Sequence, residues 1–243
     1  MLEHKICGPY DRWIKRTGDI LCAMIVIVLF WWVYGILAIL VRIKLGSPVL
    51  FAQDRPGMID RKTGKERIFK LYKFRTMTDT RDENGKLLPD NVRLTKFGRF
   101  LRATSLDELP EFWNILIGDM SLIGPRPLAL EYIHCYTKQE RVRHTVRPGL
   151  TGLAQANGRN GLSWSEKFAY DVEYANNITF LMDCKVILKT VKAVLFREGI
   201  GQGEERPTSL HVERADWQQT PEGAIPPPTA AAGAKGTVSA NDV

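Results

Sequence analysis

The sequence predicts an α/β fold that is mostly helical, contains a short β-hairpin and is anchored in a membrane by its N-terminal part. Three patterns predict this class: an uncharged apolar segment at residues 20–41, strand-like runs at residues 49–53 and 68–77 with turn residues between them, and apolar helical stripes at residues 163–176 and 180–196. We expect a monotopic protein, in which a re-entrant helix–break–helix enters and leaves through one leaflet and amphipathic helices lie at the interface.

The apolar segment at residues 20–41 is long enough to cross ~30 Å of hydrocarbon. Cations flank both of its ends, and the positive-inside rule keeps both ends in the cytoplasm. A helix that bends at Trp31 and Trp32 satisfies this rule, and a straight single-pass helix with an external N-terminus is the alternative. The flanking cations are Arg12, Lys15 and Arg16 before the segment and Arg42 and Lys44 after it.

Composition divides the chain of 243 residues into three parts. Residues 1–45 form the predicted membrane hairpin with its basic flanks, and residues 46–201 form a cytoplasmic domain. Residues 202–243 are rich in Pro, Gly, Ala, Thr and Glu and have no apolar period. We therefore expect a disordered C-terminal tail.

The formal net charge of +7 suits an anionic membrane surface or a phosphorylated substrate. The sequence contains no RNA- or DNA-binding signature, so nucleic acid is not an expected partner. The four cysteines are widely separated and the four histidines form no cluster in the sequence, which argues against a zinc site or a disulfide framework.

The most informative stretch is residues 101–127, which contains two adjacent acids, Asp107 and Glu108. Arg102 precedes the acids, and Arg126 follows them between two prolines. Carboxylates next to fixed cations suit chemistry on a phosphate group, because a carboxylate can attack phosphorus or hold Mg²⁺ while arginines carry the phosphate charge.

The same acids also fit a purely structural interpretation. Residues 105–108 match the S-x-x-E capping box, in which Glu108 would accept a hydrogen bond from the backbone N–H of Ser105. Acids in a first helical turn are also favoured by the helix dipole. On these residues alone, the catalytic and the capping interpretations both stay open.

Further cations lie in two other segments. Lys73 and Arg75 alternate onto one face of the second predicted strand, where they could receive a lipid phosphate or simply form a solvated face. The glycine-rich residues 147–161 carry Arg147 and Arg159. Glycines there would let the backbone approach a ligand closely.

A short basic stretch, residues 96–102, has the spacing of an amphipathic helix. Phe97, Phe100 and Leu101 would share one face. That face would lie either in the lipid headgroup layer or against the protein core.

Several motifs occur together in the order found in one family. The apolar hairpin is followed by KFRTM at residues 73–77, SLDELPEFWNILIGDMSLIGPRP at residues 105–127 and RPGLTGLAQANGRN at residues 147–160. Over residues 12–200 this order resembles the bacterial monotopic phosphoglycosyl transferases, which are bacterial sugar transferases, in their minimal, PglC-like form. That family breaks its membrane helix at a Ser-Pro pair, whereas this segment has Trp31-Trp32 and no proline.

The resemblance implies an enzyme that transfers a sugar 1-phosphate from a UDP-sugar to undecaprenyl phosphate and releases UMP. It makes Asp107 the nucleophile of a covalent phosphosugar-aspartate intermediate and puts Mg²⁺ at Asp107 with Glu108. It also implies contact with membrane lipid at the cytoplasmic face of the bacterial inner membrane, and a first step of glycan or glycoprotein assembly. The implied binding residues are Arg102 and Arg126 for phosphate or nucleotide, Lys73 and Arg75 for the lipid phosphate, and Arg147 and Arg159 for the uridine-sugar.

The identity of the sugar is left open by the residues. Similarity to the minimal group favours UDP-di-N-acetylbacillosamine or a related N-acetylated amino sugar, because no additional N-terminal multi-helix domain is expected. UDP-glucose, UDP-galactose and UDP-N-acetylgalactosamine are the alternatives with the same chemistry. A membrane-tethered scaffold without catalytic activity is a remote alternative.

Overall fold

The computed structural model describes residues 2–158, 161–195, 209–220 and 223–226. Helices predominate in this part of the chain, which confirms the predicted mostly helical fold with short β-hairpins. A π-helical turn at Tyr10–Ile14 leads into the first helix. The helices are α1 (Lys15–Leu45), α2 (Asp90–Arg93), α3 (Lys96–Ala103), α4 (Glu111–Ile117), α5 (Leu153–Asn157), α6 (Trp164–Asn176), α7 (Phe180–Leu195) and α8 (Leu210–Glu213).

The strands of the described residues form three separate two-stranded sheets. β1 and β2 are an antiparallel hairpin, β3 and β4 are parallel, and β5 and β6 are antiparallel. The β1–β2 hairpin is the predicted one, with a first strand that extends further than its sequence pattern indicates. The strands are β1 (Leu50–Ile59), β2 (Glu66–Phe74), β3 (Ser121–Ile123), β4 (Gly149–Thr151), β5 (Gln218–Thr220) and β6 (Gly223–Ile225).

Helix α1 runs without interruption from Lys15 to Leu45 and has the length and composition of a membrane-spanning helix. The predicted break at Trp31 and Trp32 is absent from its secondary structure. No proline removes a backbone donor in this segment, so the helical hydrogen bonds can continue through it. The re-entrant path therefore stays a prediction.

Helix α1 contacts the rest of the protein near both of its ends. Close to its start, Asp19 accepts hydrogen bonds from the Ser121 hydroxyl at 2.7 Å and from the Leu122 N–H at 3.0 Å. Further along, the Tyr34 hydroxyl donates to the Leu109 carbonyl at 2.7 Å. Two buried clusters join the two ends of α1 to the hairpin: Ala23 with Phe69, Leu71, Ile115 and Met120, and Leu37, Val41 and Leu45 with Phe74 and Leu101.

The middle of α1 is free of the domain. All five side chains at residues 28–32 are exposed, and Trp31 keeps 72% of its surface accessible. Since successive helical residues are about 100° apart, five of them cover every side of the helix. The apolar centre of α1 therefore stands away from the domain, while both flanks pack on it.

The β1–β2 hairpin is tied to α4 by a buried amide. Asn114 donates from its side-chain nitrogen to the Lys70 carbonyl at 2.7 Å and accepts from the Tyr72 N–H at 3.1 Å. These bonds satisfy backbone groups of β2 that its partner strand leaves free. They hold the helix that begins at Glu111 against the strand that carries Lys73, which is the arrangement on which the site depends.

The predicted amphipathic helix forms as α3, and it divides its apolar residues between two environments. Leu101 is fully buried in the core, whereas Phe100 is exposed. Leu101 therefore confirms packing against the core for one apolar edge, and the location of the outward edge in the headgroup layer stays a prediction.

The described C-terminal segment, residues 209–220 and 223–226, packs on the domain and differs from the predicted disordered tail. Leu210 is fully buried in an apolar cluster. Arg214, 3% exposed, donates to both carboxylate oxygens of Glu140 at 2.6 and 2.7 Å. The sequence pattern missed this segment because its anchors are one leucine and one buried arginine and not a periodic stripe.

Replacing Arg214 is expected to destabilise the protein. Arg214→Ala should lower the free energy of unfolding by ~3 kcal/mol, because Glu140 loses its buried counter-ion. Chemical denaturation in detergent measures this, with the exposed Asp216→Ala in the same segment as a control that should change little. A chain truncated after residue 201 should lose at least as much stability. Wild-type stability in both variants would show that the docked segment does not support the fold.

Candidate active site

Asp107 and Glu108 lie in a 3-10 turn, Leu106–Glu108, between α3 and α4. The capping box expected there does not form: Ser105 has a left-handed backbone with φ of 56°, and its side chain makes no capping hydrogen bond. The second S-x-x-E sequence does form a complete box, from Ser163 to Glu166. The carboxylate of Glu108 is therefore free to face the cations of the site.

Glu108 is a fixed anion between two cations. Its Oε1 accepts from Lys73 Nζ at 2.7 Å and from Arg126 Nη2 at 2.9 Å. Burial alone would raise the pKa of Glu108, but the charges of Arg126 and Lys73 outweigh it and lower the pKa to about 2. Glu108 in turn raises the pKa of Arg126. Glu108 and Arg126 are consequently charged at neutral pH, and their contacts with each other and with Lys73 hold the three side chains in place.

Asp107 is buried but carries no such partner. It is 7% exposed, and no described residue donates a hydrogen bond to its carboxylate. Burial, followed by the charge of Glu108, raises its pKa, while Lys73, Arg102 and Arg126 act in the opposite direction. A desolvated carboxylate without hydrogen bonds, surrounded by cations at longer range, is suited to attack an electrophile such as phosphorus.

Glu111 belongs to the same site, although the sequence analysis did not single it out. It is almost fully buried, and its Oε1 lies 2.9 Å from Lys73 Nζ. The angle of this contact is unfavourable for a hydrogen bond, so Oε1 of Glu111 has no hydrogen-bond partner. Burial raises the pKa of Glu111, against the opposing charge of Lys73. The sequence did contain one indication that Glu111 belongs to the site, because it follows Asp107 and Glu108 at the spacing of one helical turn.

Lys73, Glu111 and Arg126 border an open cleft with about 240 Å³ of empty space, whereas Asp107 and Glu108 lie behind them and do not line it. Basic, acidic and apolar side chains all contribute to its walls. The lining residues are Arg55, Leu71, Lys73, Glu111, Arg126 and Pro127.

The other predicted binding residues are distributed differently. Arg102 lies near Asp107 and donates from Nε to the Thr76 hydroxyl at 3.0 Å. Arg75 is buried and donates to the carbonyls of Met77 at 2.8 Å and Ser47 at 2.7 Å. β2 ends at Phe74, so the strand alternation that grouped Arg75 with Lys73 does not continue. In the structure Arg75 ties loops together, and Lys73 faces the acids.

The glycine-rich segment has a structural role where it is described. Gly149 lies in β4, and a Cβ atom added there would come within 2.1 Å of the Gly124 nitrogen. The glycine thus permits two parallel strands to approach, which differs from the ligand approach expected from the sequence. Arg147 donates from Nε to the Gly118 carbonyl at 3.0 Å. Arg159 lies outside the described residues.

The acids fit Mg²⁺ in part. Among the described residues, no group of three or more His, Cys, Asp or Glu side chains is arranged to hold a metal. Mg²⁺ in proteins that act on phosphates often uses only one or two carboxylates and completes its shell with phosphate and water oxygens. The unpaired carboxylate of Asp107 suits that role, while Glu108 has only Oε2 to offer because Oε1 is bonded to Lys73 and Arg126.

Together the fold and the site define a protein with a long apolar N-terminal helix and a carboxylate–cation site suited to phosphate chemistry. The chain belongs to the bacterial sugar transferase family, whose pattern matches residues 10–197. The resemblance seen in the sequence motifs is therefore confirmed.

Individual relatives differ in how much of their length this chain covers. The uncharacterized sugar transferase EpsL of Bacillus subtilis is 52% identical over 195 residues, which is 78% of this chain and 91% of EpsL. The undecaprenyl-phosphate galactose phosphotransferase of Salmonella typhimurium is 33% identical over 82% of this chain and 44% of its own length. The UDP-glucose:undecaprenyl-phosphate glucose-1-phosphate transferase of Klebsiella pneumoniae is 37% identical over 73% and 39%. The chain thus spans less than half of these two longer relatives.

Proposed function

We propose that this protein transfers a sugar 1-phosphate from a UDP-sugar to undecaprenyl phosphate and releases UMP. The names of the Salmonella and Klebsiella relatives support the class of donor and acceptor. The observation that carries the proposal is the contrast between two adjacent acids: Glu108 is fixed by Lys73 and Arg126, whereas Asp107 is buried and unpaired.

In the proposed mechanism the reaction proceeds in two displacements at one phosphorus atom. A carboxylate oxygen of Asp107 attacks the phosphorus bonded to the sugar, and the bond to the bridging oxygen breaks so that UMP leaves. An oxygen of undecaprenyl phosphate then attacks the same phosphorus and breaks its bond to Asp107. The lipid-linked sugar diphosphate forms, and the carboxylate of Asp107 is regenerated.

The cations of the site have separate tasks in this mechanism. Lys73 and Arg126 are close enough to Asp107 to act on its charge, and they can neutralise the phosphate that Asp107 attacks. Glu108 keeps both cations in position through its two hydrogen bonds. Mg²⁺ held at Asp107, with Oε2 of Glu108 as a second ligand, would supply further neutralisation between the two phosphate groups.

The test of the function is UMP release by the purified wild-type protein with undecaprenyl phosphate and a panel of UDP-sugars. UDP-di-N-acetylbacillosamine, UDP-glucose, UDP-galactose and UDP-N-acetylgalactosamine are the donors to compare. Release of UMP with one of these donors, together with sugar found on the lipid, supports the transferase. A scaffold without catalytic activity would release none with any of them.

Transfer is expected to require a divalent cation. Adding EDTA should abolish UMP release, and Mg²⁺ or Mn²⁺ in excess over the chelator should restore it, because the site has oxygen ligands of the kind these metals prefer. Zn²⁺ added in the same way should restore little activity. Undiminished turnover in EDTA would exclude the Mg²⁺ mechanism.

The expected location is the cytoplasmic face of the bacterial inner membrane, with both ends of α1 on that side. The N-terminal flank supports this, since Lys15 Nζ bonds Asp183 at 2.8 Å and Arg16 donates to the Ile115 carbonyl at 2.7 Å. Residues before and after the apolar centre of α1 therefore contact the same domain. The exposed residues 28–32 would lie deepest in the lipid.

A cysteine-labelling experiment tests this topology. With the native cysteines replaced, a single cysteine at Glu3 should be protected from a membrane-impermeant thiol reagent in intact cells and labelled after lysis. A cysteine at the exposed Arg67 of β2 is the matched control for the cytoplasmic side. Labelling of position 3 from outside, with position 67 protected, would instead indicate a single-pass helix.

A further inference from the structure

Arg55 is a third basic residue of the cleft, beside Lys73 and Arg126. It lies on β1, where the register pairs it with Phe69 and pairs Phe51 with Lys73. Residues 51 and 55 are an even number of positions apart, so Arg55 projects from the same face of the hairpin as Lys73. Arg55 and Lys73 line the cleft together with Arg126.

Unlike its neighbours, Arg55 has no carboxylate partner. Lys73 and Arg126 each form an ion pair with Glu108, and Lys73 also contacts Glu111. Arg55 donates from Nη2 to the side-chain oxygen of Gln53 at 2.7 Å, and its Nε is buried without a hydrogen-bond partner. No acid in the described part of the chain forms an ion pair with it.

This arrangement has an energetic cost that an anion would relieve. Burial, followed by the charge of Arg126, lowers the pKa of Arg55. Two guanidinium groups beside each other in a partly dry cleft repel, and a buried donor without a partner costs free energy. Phosphate matches the fork of an arginine through paired hydrogen bonds. An arginine without an acidic partner in this cleft is therefore suited to bind a phosphate.

The position of Arg55 relative to Asp107 indicates which phosphate it binds. Arg55 lines the cleft together with Lys73 and Arg126, whereas Asp107 and Glu108 do not line it. Lys73 and Arg126 also bond to Glu108, the neighbour of Asp107, and so connect the acids to the cleft. Arg55, which has no bond to either acid, faces the cleft away from the nucleophile, where the phosphate that Asp107 does not attack would bind.

Because each step of the proposed reaction is an in-line displacement, both steps use the position on the side of the reacting phosphorus opposite Asp107. When Asp107 attacks, the leaving UMP phosphate departs on the side opposite Asp107. When the intermediate is resolved, the acceptor phosphate must attack opposite Asp107 as well, and so arrives where UMP has left. We propose that Arg55 binds both groups in turn, first the phosphate retained in UMP and then the phosphate of the lipid acceptor, an inference that rests on the proposed function.

The two half-reactions can be measured separately with Arg55→Gln. UMP release and formation of the covalent sugar-phosphate protein are followed without acceptor, and transfer is then followed from the isolated intermediate to undecaprenyl phosphate. Both rates at subsaturating substrate should fall by about 10²-fold, as expected when one donor to a phosphate is removed. Arg55→Lys should recover part of both rates, because it keeps the charge and loses the fork. Arg67→Gln removes an exposed arginine from β2 and should leave both rates unchanged.

Each result decides the inference. A loss in the first half-reaction alone would show a nucleotide site, and a loss in the second alone would show a lipid-phosphate site; either overturns a shared site. Wild-type rates in Arg55→Gln overturn any phosphate contact. The melting temperature of Arg55→Gln in detergent shows whether the variant folds. If it does not fold, the two half-reaction rates of Arg55→Lys decide whether Arg55 binds phosphate.

A binding measurement separates this inference from the proposed function. Titration of the protein with UMP requires no turnover, and Arg55→Gln should weaken UMP binding at least tenfold while Arg67→Gln should not. A wild-type protein that releases no UMP from any donor contradicts the proposed transferase. If the wild type turns over and Arg55→Gln binds UMP as tightly as the wild type does, only the role of Arg55 is contradicted.

Discussion

Asp107→Asn is expected to abolish sugar-phosphate transfer, with UMP release reduced by roughly 10⁴-fold or more, as seen when an enzyme loses its nucleophile. The amide has nearly the same shape as the carboxylate, but it cannot form the acyl phosphate. The covalent sugar-phosphate adduct should likewise be missing from the variant when a donor labelled in the sugar phosphate is used. Substantial retained turnover would exclude Asp107 as the nucleophile.

The stability of the same variant provides an independent check. Burial raises the pKa of Asp107 in the folded protein. A group with a raised folded pKa favours folding in its protonated form, so the ionised carboxylate destabilises the fold at pH values above that pKa. Asp107→Asn should therefore melt at the same temperature as the wild type or higher at pH 7. The half-exposed Asp54→Asn on β1 is the matched control and should keep full activity.

The site illustrates what a linear pattern can and cannot predict. The acids and Arg126 were identifiable because they stand close together in residues 101–127. Two S-x-x-E sequences looked alike, yet only the one beginning at Ser163 caps a helix. The difference is the left-handed backbone at Ser105, which no residue type in that segment requires. Local sequence therefore located the acids but could not distinguish their roles.

Residues brought in by tertiary contacts were harder to predict. Arg55 enters the cleft only because of the register of β1 against β2, and Glu111 does so because Asn114 holds α4 to the hairpin. Arg75 was grouped with Lys73 by strand alternation, which fails one residue after the strand ends. The docking of Arg214 depends on Glu140, far away in the sequence. Hydrophobic periodicity predicts which face of a single helix or strand is buried. The positions of these residues depend on how two elements pack against each other, which periodicity does not predict.

Glu108→Gln is expected to damage both catalysis and stability. Lys73 and Arg126 would lose the carboxylate that orients them, so UMP release should fall by roughly 10²-fold or more. Breaking these ion pairs, which are partly exposed, should also cost about 2 kcal/mol of unfolding free energy. The capping interpretation predicts a different result, a loss of ~1 kcal/mol with activity retained.

Glu166→Gln is the matched control, since Glu166 belongs to the capping box that does form. It is exposed and outside the cleft, so the variant should lose ~1 kcal/mol at most and transfer at the wild-type rate. If Glu108→Gln behaves like Glu166→Gln in both measurements, Glu108 is a structural residue and the cations are positioned by other means.

The pH dependence of the stability difference separates the two interpretations further. The pKa of Glu108 is lowered in the folded protein to about 2, so its ionised form favours folding. That contribution is fully present above the unfolded pKa, about 4.3 for a glutamate, and disappears as the pH falls toward the folded value. The stability gap between the wild type and Glu108→Gln should therefore narrow progressively below about pH 4.5. Between about pH 5 and 8 the gap also reflects Glu111, whose pKa burial and the charge of Glu108 raise to about 7. A gap that does not change with pH would mean that the variant acts through packing, and that the charge of Glu108 does not hold Lys73 and Arg126 in the site.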